Sequence, residues 1–165
     1  MIVTRLIVLL ISVSLCIGFA LPVMAAEKPD AIATITTQQM QTMVANRDAK
    51  KSEPKDDIVI VDCRSKEETA VSMIPGAITK ESYEKDIATY DGQPVIVYCL
   101  SGGRSGLFAK RLAGEGIDVK NYQGSIIAWV QAKQDLVTPA GEPTKRVHTY
   151  GNPFPMPSEY EAVGR

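Results

Sequence analysis

Three observations predict an α/β fold for this chain, a three-layer sandwich with a central, mostly parallel sheet flanked by helices. Two segments, "IVIVDC" (58–63) and "PVIVYC" (94–99), are apolar, β-branched runs without polar alternation. That is the pattern of strands buried on both faces. Stretches with helical spacing separate the two runs and follow the second. The resulting succession of strand and helix is the order that right-handed crossovers join into a parallel sheet.

Each element follows from its residues. Positions 26–34 read as a linker with a short first strand. "TTQQMQTMVANRD" (36–48) sets Met40, Met43 and Val44 at helical spacing behind a Thr-rich start that caps a first helix. "AKKSEPKDD" (49–57) is charged, carries Pro54 and reads as a solvent loop. "SKEETAVSM" (65–73) is helical in composition, and "IPGA" (74–77) turns the chain. A short helix is expected from Tyr83 to Ala88, and "YDGQP" (90–94) leads into the second buried strand. In "SGLFAKRLAGEGI" (105–117), Leu107, Phe108, Arg111 and Leu112 predict a helix with one buried face, stopped by Gly114 and Gly116. "VKNYQG" (119–124) is a third strand, and "SIIAWVQAKQ" (125–134) is a helix offering Ile126, Ile127 and Trp129 to the core.

A length of 165 residues with 45% apolar and 22% charged side chains suits one globular domain, and its boundaries are expected at 33–136. Residues 137–165 form a Pro-rich tail, with five of the ten prolines between 139 and 157, expected to lie extended and partly ordered against the domain. A formal charge of −1 without a long basic run gives no reason to expect nucleic acid or an acidic membrane surface as partner.

Residues 1–26 differ in kind. Arg5 is the only charge before Glu27, Leu6 to Leu21 is almost wholly apolar, and "VMAA" follows. This is the layout of a signal peptide cleaved after Ala25 or Ala26, which predicts an exported protein with no membrane contact after cleavage. The alternative is a retained anchor, because the run approaches the roughly 17 to 25 residues that span a bilayer. Leu15 before Cys16 does not suit lipidation. With the leader removed, Cys63 and Cys99 remain, too few for a disulfide scaffold and without zinc-ligand spacing. No metal or cofactor is expected.

Both buried runs end at the edge where parallel sheets bind ligands, which places Cys99 where chemistry occurs. After it, Gly102 and Gly103 allow the loop Leu100, Ser101, Gly102, Gly103, Arg104 to turn its amides inward. A helix starting near Ser105 adds its N-terminal partial charge. Such a nest favours anions and lowers the pKa of a thiol within it. The plain alternative, a small core cysteine, leaves two glycines, an arginine and a helix start behind the thiol without purpose. A Cys-His hydrolase needs a base, and the sole histidine, His148, lies in the tail.

Over about residues 33 to 134 the chain resembles a single-domain rhodanese, a sulfurtransferase. "IVIVDCRSKEE" is similar to that family's Asp-x-Arg strand end, "IPGAI" to its Gly-His-Ile-Pro-Gly-Ala, "CLSGGRS" to its C-x-x-G-x-R-S loop, and "NYQGSIIAW" to its closing Gly-Gly-x-x-x-W. Ser72 and Met73 replace Gly-His, and Ser125 replaces the second glycine of the last motif. The resemblance implies a rhodanese-like sandwich and transfer of sulfane sulfur from thiosulfate or a similar donor, through a Cys99 persulfide, to cyanide or a thiol. It implies that amides of Leu100 to Arg104 cradle the charge and that Arg104 binds the anionic donor. Asp62 is then expected to fix the loop through backbone hydrogen bonds, and Arg64 to pair with Glu67 or Glu68. Similarity to small periplasmic members of the family implies a periplasmic location.

Four residues separate Cys99 from Arg104, one fewer than in the phosphatases that share this fold, which favours sulfur transfer. Cys63 is either a resolving or disulfide partner of Cys99 or a small buried side chain. The alternatives are a sulfur-carrier module without turnover, its tail docking a protein acceptor, and a Cys63–Cys99 redox protein.

Overall fold

The computed structural model describes residues 31–49 and 58–164. The expected leader at 1–26 and nearly all of the charged loop at 49–57 lie outside them. The elements are β1 (Thr34–Ile35), α1 (Thr37–Ala49), β2 (Val59–Asp62), α2 (Lys66–Val71), β3 (Ile78–Thr79), α3 (Lys80–Lys85), β4 (Val95–Tyr98), α4 (Gly103–Gly114), β5 (Val119–Tyr122) and α5 (Ser125–Gln131). A single 3-10 turn, Ile87–Tyr90, follows α3.

The five strands form one sheet in the order β1-β5-β4-β2-β3, and every pairing is parallel. The two β-branched runs are the centre of that sheet, and all residues of β2 and β4 are buried. Side chains alternate between two cores, as the pleat requires. Val59, Val61, Cys63, Val95, Val97 and Cys99 face a core closed by Tyr83 of α3 and Phe108, Ala109 and Leu112 of α4. Ile60, Ile96, Tyr98 and Leu100 face the other, closed by Met40 and Val44 of α1 and by Ile126, Trp129 and Val130 of α5. Both cysteines therefore lie on the α4 side of the sheet.

Several details depart from expectation. The helix expected from Tyr83 to Ala88 is α3, Lys80–Lys85, begun earlier because the Thr79 hydroxyl caps the Ser82 N–H, and Ile87–Tyr90 is only a 3-10 turn. The two-residue strand β3 was not anticipated. Helix α4 starts at Gly103 rather than near Ser105. Leu107, expected on the buried face of α4, is 72% exposed, because Phe108, Ala109 and Leu112 already fill the contact with the sheet. The tail is more than a surface strap: β6 (Leu136–Val137) pairs antiparallel with β7 (Pro143–Thr144), and β8 (Arg146–His148) pairs parallel with β9 (Glu161–Val163). Val147 and Tyr160 join the α1–α5 core, with Phe154 and Met156 packed against it. Strand β8 also lies against α2, which brings the tail to the carboxyl edge of the sheet.

Candidate active site

The corner after β2 is held by a buried ion pair. Arg64 donates through Nε to both oxygens of Asp62, at 2.9 and 3.1 Å, and through Nη2 at 2.7 Å; its own backbone N–H donates to Oδ1 at 3.0 Å. Both side chains are fully buried. The Tyr98 hydroxyl donates to Asp62 Oδ2 at 2.6 Å and accepts the Ile74 N–H at 3.0 Å, tying β2, β4 and the 72–77 turn together. Asp62 accepts its backbone hydrogen bond from Arg64 rather than from the Leu100–Arg104 loop it was expected to fix, so it holds the β2 corner. Arg64 does not pair with Glu67 or Glu68: it folds back onto Asp62 and donates to the Ser72 carbonyl. Glu68 is unavailable because it faces a different arginine.

The loop after β4 is shaped by Gly102, which has φ +94. A Cβ there would stand 2.3 Å from the Gln123 carbonyl oxygen, so the turn requires glycine. In this conformation the Gly102 N–H donates to Cys99 Sγ at 3.1 Å, and Gly102 is also the N-cap of the twelve-residue α4. The Ser105 hydroxyl lies 3.5 Å from the same sulfur. Burial pushes the Cys99 thiol up, but hydrogen bonds from the Ser105 hydroxyl and from the amides of Ser105, Ser101 and Gly102 outweigh it, so the pKa falls below the ordinary value. The cradle thus draws on the amides of Ser101 and Gly102 and extends past Arg104 to Ser105. Leu100 turns its side chain into the core, and its carbonyl accepts the Ile127 N–H at 3.3 Å.

Ser125, the residue in place of a glycine, sits directly behind the cysteine. Its φ is +53, its hydroxyl accepts the Cys99 N–H at 3.1 Å, and it donates to the Tyr122 carbonyl at 2.9 Å. The serine adopts a left-handed backbone and makes a hydrogen bond that glycine cannot.

Arg104 is anchored to α2 through Glu68. Its Nη1 and Nη2 donate to Glu68 Oε2 and Oε1 at 2.6 and 2.8 Å, the two-pronged geometry that arginine and carboxylate favour. Glu68 has a fully buried side chain while that of Arg104 is 42% exposed. The same carboxylate accepts the Ser65 N–H at 2.8 Å, closing a capping box at the start of α2. A fourth donor comes from the tail: the Tyr150 hydroxyl lies 2.9 Å from Glu68 Oε2 and 3.0 Å from Ser65 Oγ. Burial pushes the Glu68 carboxyl up, but Arg104, the Ser65 amide and Tyr150 together hold it below the ordinary carboxylate range. The Tyr150 ring stands 5.9 Å from the Arg104 guanidinium and meets His148 edge-on at 4.7 Å. Cys99, Leu100, Ser101, Gly103, Arg104 and Tyr150 line one open pocket.

Cys63 stands level with Cys99: its N–H donates to the Tyr98 carbonyl at 2.8 Å, continuing the β2–β4 ladder. Parallel neighbours run about 4.8 Å apart, within the reach of a disulfide, yet both thiols are free. Burial pushes the Cys63 thiol far up, and the charges of Asp62 and Cys99 push it further. Both effects favour its protonated form, the poorer nucleophile. Sequence reasoning missed Tyr150 and the role of Ser125. The Ser65-x-x-Glu68 capping signature was the one local signal that tied Glu68 to its place.

Comparison with known proteins agrees with this geometry. A family model described as the Rhodanese-like domain matches residues 45–132. A protein named sulfurtransferase from Allochromatium vinosum is 33% identical over 90 residues, covering 52% of this chain and 84% of that protein. A tRNA sulfurtransferase from Desulfurococcus amylolyticus is 36% identical over 70 residues, 42% of this chain but 14% of that protein. Among solved structures, a thiosulfate sulfurtransferase from Pseudomonas aeruginosa superposes with a TM-score of 0.54 at 24% identity, over 67% of this chain and 21% of that one, a likeness of fold. With more than half its residues matched by the family model, and with the parallel sheet, the Asp-x-Arg corner and the cysteine loop all in place, the chain belongs to the rhodanese-like domain family.

Proposed function

We propose that the protein is a sulfurtransferase that carries sulfane sulfur as a persulfide on Cys99. The observation that supports this most directly is the set of donors around one sulfur: the Gly102 amide at 3.1 Å and the Ser105 hydroxyl at 3.5 Å, at the start of α4. They favour the thiolate, which is the nucleophilic form. In the first half-reaction the Cys99 thiolate attacks the outer sulfur of thiosulfate. A sulfur–sulfur bond forms at Sγ, the bond within the donor breaks, and sulfite leaves with the electron pair. In the second, cyanide or a thiolate attacks the outer persulfide sulfur and releases Cys99 as thiolate. Ping-pong kinetics follow from the covalent intermediate.

The donor's charge is met by the amides of Ser101 and Gly102 and the start of α4, beside an Arg104 whose guanidinium also pairs with Glu68. Arg104 adds positive potential at the rim and fixes the loop. A Cys63–Cys99 redox role is disfavoured by the raised pKa of Cys63. Export to the periplasm is supported by the apolar run from Leu6 to Leu21 and the "VMAA" that follows.

The test is intact-mass spectrometry after thiosulfate treatment. Wild type is expected to gain one sulfur, removable by cyanide with release of thiocyanate, and Cys99→Ser to gain none. An adduct that persists in Cys99→Ser, or none in wild type, refutes the reading. An adduct that forms but does not turn over with cyanide or dithiol identifies a carrier instead. Amino-terminal sequencing of the protein recovered from a periplasmic extract is expected to begin at Ala26 or Glu27.

A further inference from the structure

We propose that Tyr150, supplied by the carboxyl-terminal segment, is the residue that sets donor specificity at the sulfur-transfer site, favouring a monoanionic donor with an apolar substituent over the compact dianion thiosulfate. The inference rests on the sulfur-transfer reading and goes beyond it, because the residue lies outside the matched family region, 45–132.

Position is the first argument. Tyr150 follows β8, which lies against α2, and has φ +54, a left-handed conformation uncommon for a residue with a large side chain. The strained corner aims the ring across the Cys99 loop, where Tyr150 forms a wall of the pocket that also contains Cys99 and Arg104. The hydroxyl is held by Glu68 and Ser65, and the edge of the ring is held by His148. Tyr150 is nonetheless 47% exposed, so ring surface remains for a ligand to cover.

Charge is the second argument. The charge of Arg104 is offset by a two-pronged pair with Glu68, and its guanidinium lies over the Tyr150 ring, 5.9 Å from the centroid. An aromatic face carries a negative quadrupole, so this wall disfavours a small dianion and welcomes an apolar group. The loop amides still meet a single negative charge at the reacting sulfur. An arene thiosulfonate has that form. The Cys99 thiolate attacks its outer sulfur, the sulfur–sulfur bond of the donor breaks, and the arenesulfinate leaves with the electron pair; Cys99 becomes the persulfide anion, and charge balances without another reagent.

The experiment measures kcat/KM for benzenethiosulfonate and for thiosulfate, with cyanide as acceptor, in wild type, Tyr150→Phe, Tyr150→Leu and Tyr150→Ala. Wild type is expected to prefer benzenethiosulfonate. Tyr150→Phe keeps the ring and is expected to keep that preference within about twofold. Tyr150→Leu and Tyr150→Ala are expected to lower benzenethiosulfonate roughly tenfold, the scale of one aromatic contact, through KM, and to raise thiosulfate. A purely structural tyrosine would change both donors by one factor. Equal changes for both donors, a wild-type preference for thiosulfate, or a preference lost equally in Tyr150→Phe would overturn the assignment while leaving sulfur transfer intact. Absence of a Cys99 persulfide from either donor in wild type would instead overturn the sulfur-transfer reading itself.

Discussion

Replacing Glu68 tests whether one buried carboxylate organises the site. It accepts four hydrogen bonds: two from Arg104, one from the Ser65 amide and one from the Tyr150 hydroxyl. Removing one member of a fully buried ion pair costs about 3 to 5 kcal/mol. Here Arg104 is 42% exposed and regains water when its partner goes, so the pair itself contributes less. The Ser65 N–H loses its acceptor and the capping box is broken, at about 1 kcal/mol. The expected total for Glu68→Ala is about 2 to 3 kcal/mol. Glu68→Gln keeps the shape and one acceptor oxygen but turns an N–H toward Arg104, and is expected to cost about half as much.

Urea unfolding at neutral pH reads both numbers as a shift in midpoint at constant slope. The pH dependence gives an independent check. Because the folded carboxyl titrates below its ordinary range, its contribution is fully present above about pH 4.3, the unfolded value, and is lost as pH falls through the lower folded value. The gap between wild type and Glu68→Gln should therefore close in acid and stay constant above that point. A Glu68→Ala protein within 0.5 kcal/mol of wild type, or a gap that widens in acid, would refute the reasoning.

Three further outcomes are expected. Asp62→Asn leaves Arg64 buried beside a neutral amide and should destabilise by about 3 to 5 kcal/mol, seen as a fall in thermal midpoint; a loss below about 1 kcal/mol would show that the corner does not depend on the pair. Iodoacetamide should label Cys99 with a rate that rises through a pH below the ordinary thiol range, Ser105→Ala should move that rise upward, and peptide mapping should find Cys63 unlabelled in the native protein; equal labelling of both would contradict the assigned environments. Gly102→Ala should cost about 1 to 3 kcal/mol or more, since its Cβ meets the Gln123 carbonyl, whereas Gly103→Ala, with open space around it, should be tolerated; a comparison of unfolding midpoints decides between them.

The parts of the molecule that could be read from sequence are those where a short segment carries its own reason. The runs at 58–63 and 94–99 had to be central strands because they have no polar face. The glycines at 102 and 103 announced a turn beneath a helix start. What escaped depends on contacts between distant segments. No local pattern showed that α2 brings a carboxylate to Arg104, and Arg64 was assigned to that same helix although Asp62, two residues away, was the nearer partner. The tail is polar and Pro-rich, so nothing local indicated that Val147 and Tyr160 enter the core or that Tyr150 reaches Glu68, 82 residues away in sequence. Leu107 was assigned inward by periodicity alone, which cannot tell which apolar residues win the limited space against a sheet.

Ser125 has a consequence for protein engineering. A residue with a side chain at φ +53 is strained by about 1 to 2 kcal/mol relative to glycine, yet its hydroxyl fixes the Cys99 amide. Glycine at position 125 would relieve that strain but leave the buried Cys99 N–H without its acceptor, a loss of about 1 to 3 kcal/mol that offsets the gain. A library screened on melting temperature would thus be nearly indifferent between serine and glycine at this position, whereas one screened on sulfur transfer would retain the serine.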